Sequence, residues 1–585
     1  MLSRTTVLPA AVLVSLAGQA MGDLTMADLA PANTAFIVAI DDMAEVRDRF
    51  GETPLAEWWN DPEVQEWFED GLDGLLQDLN ESFESLELGG EDFAAPTGMV
   101  GLALWIAPED GEDGAPKPHI LFAADFGDEA DTIDETLARV MEEGVDAGTL
   151  DVDEDDFDGQ TIFTLSTIDD EDDGADEDDP FMAEWEASQG ESPFDYDAVY
   201  LSRVGSAFIY SSSLGDLEDA IERAKGDGDN ALAGQDRYAE ALGDFDEAHI
   251  YGAMINEPLY ELQAMLDEGL GEPDEFGMSV PKIMPILDAL GLSEVTSSAV
   301  GVTLDGDDGM LEQDFLVRTP VKRGLLGVLA PPSQDFEPPA FITGDAASYS
   351  MLQVNFDEIL PTLREVTNQI GPDEAAQLRQ GLALAQGLVA PIFDQIGPEV
   401  YIIEQYDRPY TMESMKITVA IRAKDTDAAL ESIAQPLEGF VGLVPRDFQG
   451  NQIFDAPEGF GPAGGIALGV GSGFVFIGTT ESVESALRQA ANPGGATLAN
   501  EEKFEDAARV VPNEGLAFSW SDTRQSLEFQ QFVFEEMGEF AAGPFAEFMP
   551  PKLEMIAELS GDTVTELRST ERGYEGRSIW LRPAD

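Results

Sequence analysis

The sequence predicts an α+β protein: two similar tandem halves, each mostly antiparallel β-sheet with packed amphipathic helices. Three observations predict it. The 585 residues are 43% hydrophobic and 9% aromatic, enough apolar material for more than one core. A strand-to-helix unit occurs twice. Strands come as neighbouring hairpins with helices between the groups, which is the pattern of a segregated antiparallel sheet and not of parallel crossovers.

The elements follow in order. MLSRTTVLPAAVLVSLAGQAMG places Arg4 before an apolar run from Val7 to Leu16 and small residues at Ala17, Gly18, Ala20 and Gly22. That is the order of a secretory signal peptide over 1–22, cleaved after Ala20 or Gly22; the run is too short for a membrane anchor. TAFIVAIDDMAEV, from Thr34, reads as a strand entering a helix. PLAEWWNDPEVQEWFEDGLDGLLQDL reads as amphipathic helix whose Trp58, Trp59, Trp67 and Phe68 face a core or an interface. DFDGQTIF, from Asp156, is a hairpin turning at a glycine. The run Asp169 to Asp179 holds nine acids in eleven positions and is expected to be a disordered, cation-attracting insertion.

VGSAFIYSSSLGDLEDAIERA (204–224) aligns without a gap on VGSGFVFIGTTESVESALRQA (470–490), seven of twenty-one positions being identical. The substitutions keep the physics: Ile209 matches Val475, Tyr210 matches Phe476 and Leu217 matches Val483. Each unit runs an alternating strand, a hydroxyl N-cap candidate (Ser213, Thr479) and a helix with one apolar face. Leu232 matches Leu498 and Tyr238 matches Phe504 in the next helices. DEAHIYGAM faces NEGLAFSWS, DFDGQTIF faces DFQGNQIF, and both copies end in a glycine-turned hairpin. The first α+β repeat is therefore placed at 28–325 and the second at 341–585. Between them, 326–340 is a Pro-rich linker, GVLAPPSQDFEPPAF carrying four prolines.

FIVAIDDMAEV, FDGQTIF, VGSAFIYSSSLGDLEDAI and ALAGQDRYAEAL in this order resemble a secreted bacterial domain-of-unknown-function family, DUF3352, with relatives in planctomycete-like bacteria. The resemblance implies export and this fold, and it implies no activity.

The chain has 118 acidic and 29 basic residues, a net charge of −89, and no cysteine. Such a surface repels nucleic acid, and dissolved salt screens its self-repulsion, so a halophilic-like surface and nonspecific divalent cations are expected. Without cysteine there is no disulfide framework. No integral membrane segment is expected after signal cleavage, and the expected location is periplasmic or secreted.

The chemistry candidates thin out on inspection. Gly459, Gly461 and Gly464 spell G-x-G-x-x-G, but Pro462 lies inside the pattern and a strand follows, so the strand–loop–helix order of a phosphate cradle is absent. Gly469, Gly471 and Gly473 read as a strand edge and hairpin turn. His119 and His249 are the two histidines, each in an apolar strand context and expected to be hydrogen-bonded there. Ser472 lacks the glycine two residues earlier that a nucleophile elbow requires. A calcium loop starting at Asp169 would put Pro180 where a bidentate glutamate belongs, and one starting at Asp151 would put Ile162 there. No catalytic, cofactor-binding or metal residue is assigned and no cofactor is expected. The chain reads as an exported, strongly acidic, non-catalytic envelope protein that binds or supports an unknown partner. A carrier of an apolar ligand or lipid and a carbohydrate-active enzyme using paired carboxylates are the alternatives.

Overall fold

The computed structural model describes residues 24–75, 95–107, 116–168, 196, 198–226, 230–243, 245, 248–269, 282–370, 374–411, 413–440, 442–457, 465–512, 514–537 and 551–583. The signal segment 1–22, the acidic insertion 169–179 and Gly459, Gly461 and Gly464 lie outside them. The chain forms two compact units. One comprises Met1–Glu52, Gln65–Leu262 and Ser297–Leu304; the other comprises Thr53–Val64, Gln263–Thr296 and Asp305–Asp585.

In the first unit the strands are β1 (Phe36–Ile40), β2 (Val100–Ala107), β3 (Lys117–Asp125), β4 (Leu150–Phe157), β5 (Gln160–Thr167), β6 (Val199–Val204), β7 (Ala207–Ser211), β8 (Ile250–Ile255) and β9 (Ser297–Leu304). Every pairing among them is antiparallel, in the order β9-β8-β1-β2-β3-β7-β6-β5-β4. The second unit holds β10 (Leu311–Arg318), β11 (Ser348–Gln353), β12 (Ile396–Tyr406), β13 (Met415–Ala423), β14 (Val444–Phe448), β15 (Asn451–Asp455), β16 (Ala467–Gly471), β17 (Phe474–Gly478), β18 (Ala517–Ser521), β19 (Thr563–Thr570) and β20 (Gly573–Trp580). Its order is β10-β20-β19-β18-β11-β12-β13-β17-β16-β15-β14, again antiparallel throughout. From β19 to β14 this repeats the first unit strand for strand, each number raised by ten.

Helices repeat in the same places: α1 (Met43–Glu52), α2 (Ala130–Ala147), α3 (Leu214–Ala224) and α4 (Asp236–Leu242), then α5 (Phe356–Gln369), α6 (Thr426–Phe440), α7 (Thr480–Ala491) and α8 (Glu502–Ala507). Each sheet carries helices on both faces. In the first unit Ile133, Leu137 and Met141 of α2 share a core with Phe208 and Tyr210, while α3 packs on β6 and β7 and buries Leu217, Ala220 and Ile221 completely. In the second, Ala429 and Ile433 of α6 meet Val475, and Val483 and Leu487 of α7 meet Phe474 and Phe476. Burying each of the larger ones, Leu, Ile, Val, Met or Phe, stabilises by about 1.5–3 kcal/mol.

These contacts correct the gapless alignment by one residue. The β6–β7 turn is Gly205–Ser206 and the β16–β17 turn is Ser472–Gly473, so Phe208 corresponds to Val475 and Ile209 to Phe476. The members of each pair then face equivalent helices, as Phe208 faces α2 and Val475 faces α6. A one-residue slip would have turned the whole strand over. The first copy absorbs the difference in the longer strand-to-helix link, Ser212–Ser213 against Thr479 alone.

The hairpin turns are built as their residues dictate. Asp158 and Gly159 both have positive φ (50° and 75°), as do Gln449 and Gly450 (54° and 85°) and Ser472 and Gly473 (50° and 84°). That is the geometry whose twist matches the flanking strands. The outermost strands are blunted against further pairing: β4 carries Asp151, Asp153, Glu154, Asp155 and Asp156, and β14 carries Pro445. The acids at Asp151 to Asp155 are thus an edge strand. Among the described residues no helix is long and apolar enough to cross a membrane.

Candidate functional site

The Pro-rich stretch is anchored at Gln334–Asp335, which pairs antiparallel with Glu514–Gly515 just before β18. It sends Phe336 into the core, 3% exposed, with its ring 5.2 Å from that of Phe518 on β18. Opposite stands α8, whose Phe504 ring lies 6.0 Å from Phe518 and 5.6 Å from Trp520. Between this strap and α8 opens a pocket of about 490 Å³. Its apolar lining is Phe336, Phe504, Val511 and Phe518, flanked by Pro338, Ala499, Ala508 and Pro512; its polar lining is Asp335, Glu337, Glu505 and Arg509. The four polar residues are all exposed. Arg509 is held by Glu505 (3.3 Å) and by Asp506, which leaves Asp335 and Glu337 as the uncompensated charge at the mouth.

The equivalent positions in the first unit carry different residues. Tyr238 on α4 stands where Phe504 stands, Tyr251 on β8 where Phe518 stands, and Asp41 after β1 where Gln353 ends β11, as the strand registers require. The Tyr251 hydroxyl donates to Asp41 Oδ1 at 2.9 Å. Although Asp41 stays open to solvent, the groups packed against it raise its pKa through desolvation, partly offset by that hydrogen bond. In the second unit, Gln353 is fully buried and neither its amide oxygen nor its nitrogen has a partner. Where the first copy pairs a tyrosine hydroxyl with a carboxylate, the second has phenylalanine and an unpartnered amide.

No family model, curated protein or solved structure matches the chain.

The helix α8 also contributes Lys503 to an ionic cluster. Lys503 Nζ sits 2.5 Å from Asp522 Oδ2 and 5.1 Å from the centre of the Trp520 ring. Trp520 Nε1 donates to Asp562 Oδ2 at 2.9 Å. Burial pushes the Asp562 pKa up to about 6, with the indole N–H opposing and the Asp522 charge assisting. Asp522 is lowered in spite of desolvation, by Lys503 and by the Gln525 backbone.

The residues weighed from the sequence fall elsewhere. His119, on β3, meets Asp216 at 2.5 Å with the Trp105 ring 5.9 Å away. His249 Nδ1 accepts the Leu304 backbone N–H at 2.9 Å. Both are hydrogen-bonded in strand contexts and neither joins the pocket. Gly469 is there for packing: a Cβ would lie 2.6 Å from Val483 Cγ1 and 2.9 Å from Leu487 Cδ1. Trp58 donates to the Pro551 carbonyl at 3.0 Å, and its ring is 6.3 Å from that of Trp59; Phe68 is 39% exposed. Among the described residues no group of three or more His, Cys, Asp or Glu side chains could hold a metal ion. The sequence reading missed the pocket because its walls come from three segments, 335–338, 499–512 and 518. The signal available was the change of Tyr238 and Tyr251 to Phe504 and Phe518 between the copies.

Proposed function

We propose that the chain is an exported, strongly acidic, non-catalytic binding protein of a cell envelope, with its ligand held in the pocket between the Pro-rich strap and α8. The observation that carries this reading is the pocket itself: about 490 Å³, within the usual range for small-molecule sites, with aromatic walls and a few polar groups at the mouth. The signal-peptide pattern, the charge and the likeness to a secreted family support export. Gentle purification of the mature protein from its native envelope, followed by mass spectrometry of bound molecules, tests the proposal. A stoichiometric small molecule released on denaturation is the expected result; ligand-free protein that also binds no apolar probe overturns it.

One arrangement favours a second reading, the carbohydrate-active enzyme: the Asp562 carboxyl accepts the Trp520 indole N–H in a setting where burial, assisted by the Asp522 charge, pushes its pKa up to about 6, the kind of environment in which a carboxyl serves as an acid. Hydrolysis of glycans by the wild type that is lost in Asp562→Asn would establish it; equal inactivity of both proteins removes it.

A further inference from the structure

We propose that the pocket selects an organic cation, an ammonium group carried on an apolar or aromatic body. The inference rests on the binding reading above and adds the chemical class of the ligand.

Three features of the site point to this class. The inner wall is made by Phe336, Phe504, Val511 and Phe518, which offer an apolar surface to a ligand body, and an aromatic wall tolerates a positive charge better than an aliphatic one. At the mouth, Asp335, Glu337 and Glu505 face one guanidinium, Arg509, which Glu505 and Asp506 already pair. An anion would meet uncompensated carboxylates there, and a neutral hydroxyl would gain a hydrogen bond from them but no charge pairing.

The third feature is the comparison between copies. Tyr251 in the first unit gives its hydroxyl to Asp41, so that copy satisfies its own polar groups. The second copy has phenylalanine at both tyrosine positions and no carboxylate at Gln353. Its pocket carries acids at the mouth and phenylalanines within, the buried Gln353 amide standing outside the lining, an arrangement that separates a charged head from an apolar body. The net charge of −89 concentrates every cation near the surface, so selection by the pocket has to exceed that general attraction.

Calorimetric titration of the full chain in 150 mM salt with 4-phenylbutylamine, 4-phenylbutan-1-ol and 4-phenylbutyrate tests the inference. The amine is expected to bind at least tenfold more tightly than the alcohol, and the carboxylate not at all. Replacing the mouth acids together (Asp335→Asn, Glu337→Gln, Glu505→Gln) is expected to weaken the amine about tenfold and leave the alcohol unchanged. A control with the same change of net charge on the exposed face of α2 (Glu135→Gln, Glu142→Gln, Asp146→Asn) is expected to alter neither. Equal affinity for amine and alcohol, or equal effects of the two triple variants, overturns the cation inference while the pocket stands. Failure of both amine and alcohol to bind overturns the binding reading with it.

Discussion

Asp562 accepts the Trp520 indole N–H in a mostly buried setting, and its proton is worth more to the folded chain than to the unfolded one. Because the folded pKa of about 6 lies above the ordinary aspartate value near 4, the native state holds the proton to higher pH than the unfolded chain does. Stability therefore falls as pH rises between about 4 and 6, and the loss persists above that window. Asp562→Asn keeps an oxygen for the indole and removes the titration. It should match the wild type below pH 4 and be more stable at pH 7.5 by up to about 2 kcal/mol. Urea unfolding across this range measures it, and parallel pH profiles for the two proteins would refute the assignment. Gly469 gives a second residue-level test. Its missing side chain lets Val483 and Leu487 of α7 lie on β16, so Gly469→Val should destabilise the second unit by about 1–3 kcal/mol or more through overpacking. A neutral outcome in thermal unfolding would mean that α7 does not pack there.

The repeated strand-to-helix element differs between copies in a way that isolates one hydrogen bond. Thr479 caps α7 by accepting the Ser482 N–H at 3.2 Å; Ser213 precedes α3 without a side-chain cap bond. Thr479→Ala should cost about 1 kcal/mol, and Ser213→Ala only a few tenths. Equal losses in chemical denaturation would contradict the difference. The helix faces, the Thr479 cap and the hairpin glycines were legible in the sequence because each rests on local periodicity and turn chemistry, whereas the Ser213 candidate makes no cap bond. The strand register was not. Val475 and Phe476 are both apolar, so identity across the turn favoured the wrong partner, and only the helices on either face decide which side chain points where.

At the scale of the molecule, 118 acids against 29 bases make self-repulsion a general cost of compactness, and salt relieves it as the screening length falls from about 10 Å at 0.1 M to about 3 Å at 1 M. Melting temperature should rise by several degrees as sodium chloride goes from 0.05 to 1 M. Calcium at equal ionic strength should add nothing unless a specific site exists; a flat salt response in calorimetry would remove the saline-surface reading. The sequence by itself determined the α+β class and the duplication, because periodicity and turn residues act over a few positions. Tertiary structure alone decided that Phe336, Phe504 and Phe518 meet around one cavity. These residues are separated by as much as 182 positions (518 − 336), and the space among them depends on how a strap, a short helix and a strand pack, which no local pattern encodes.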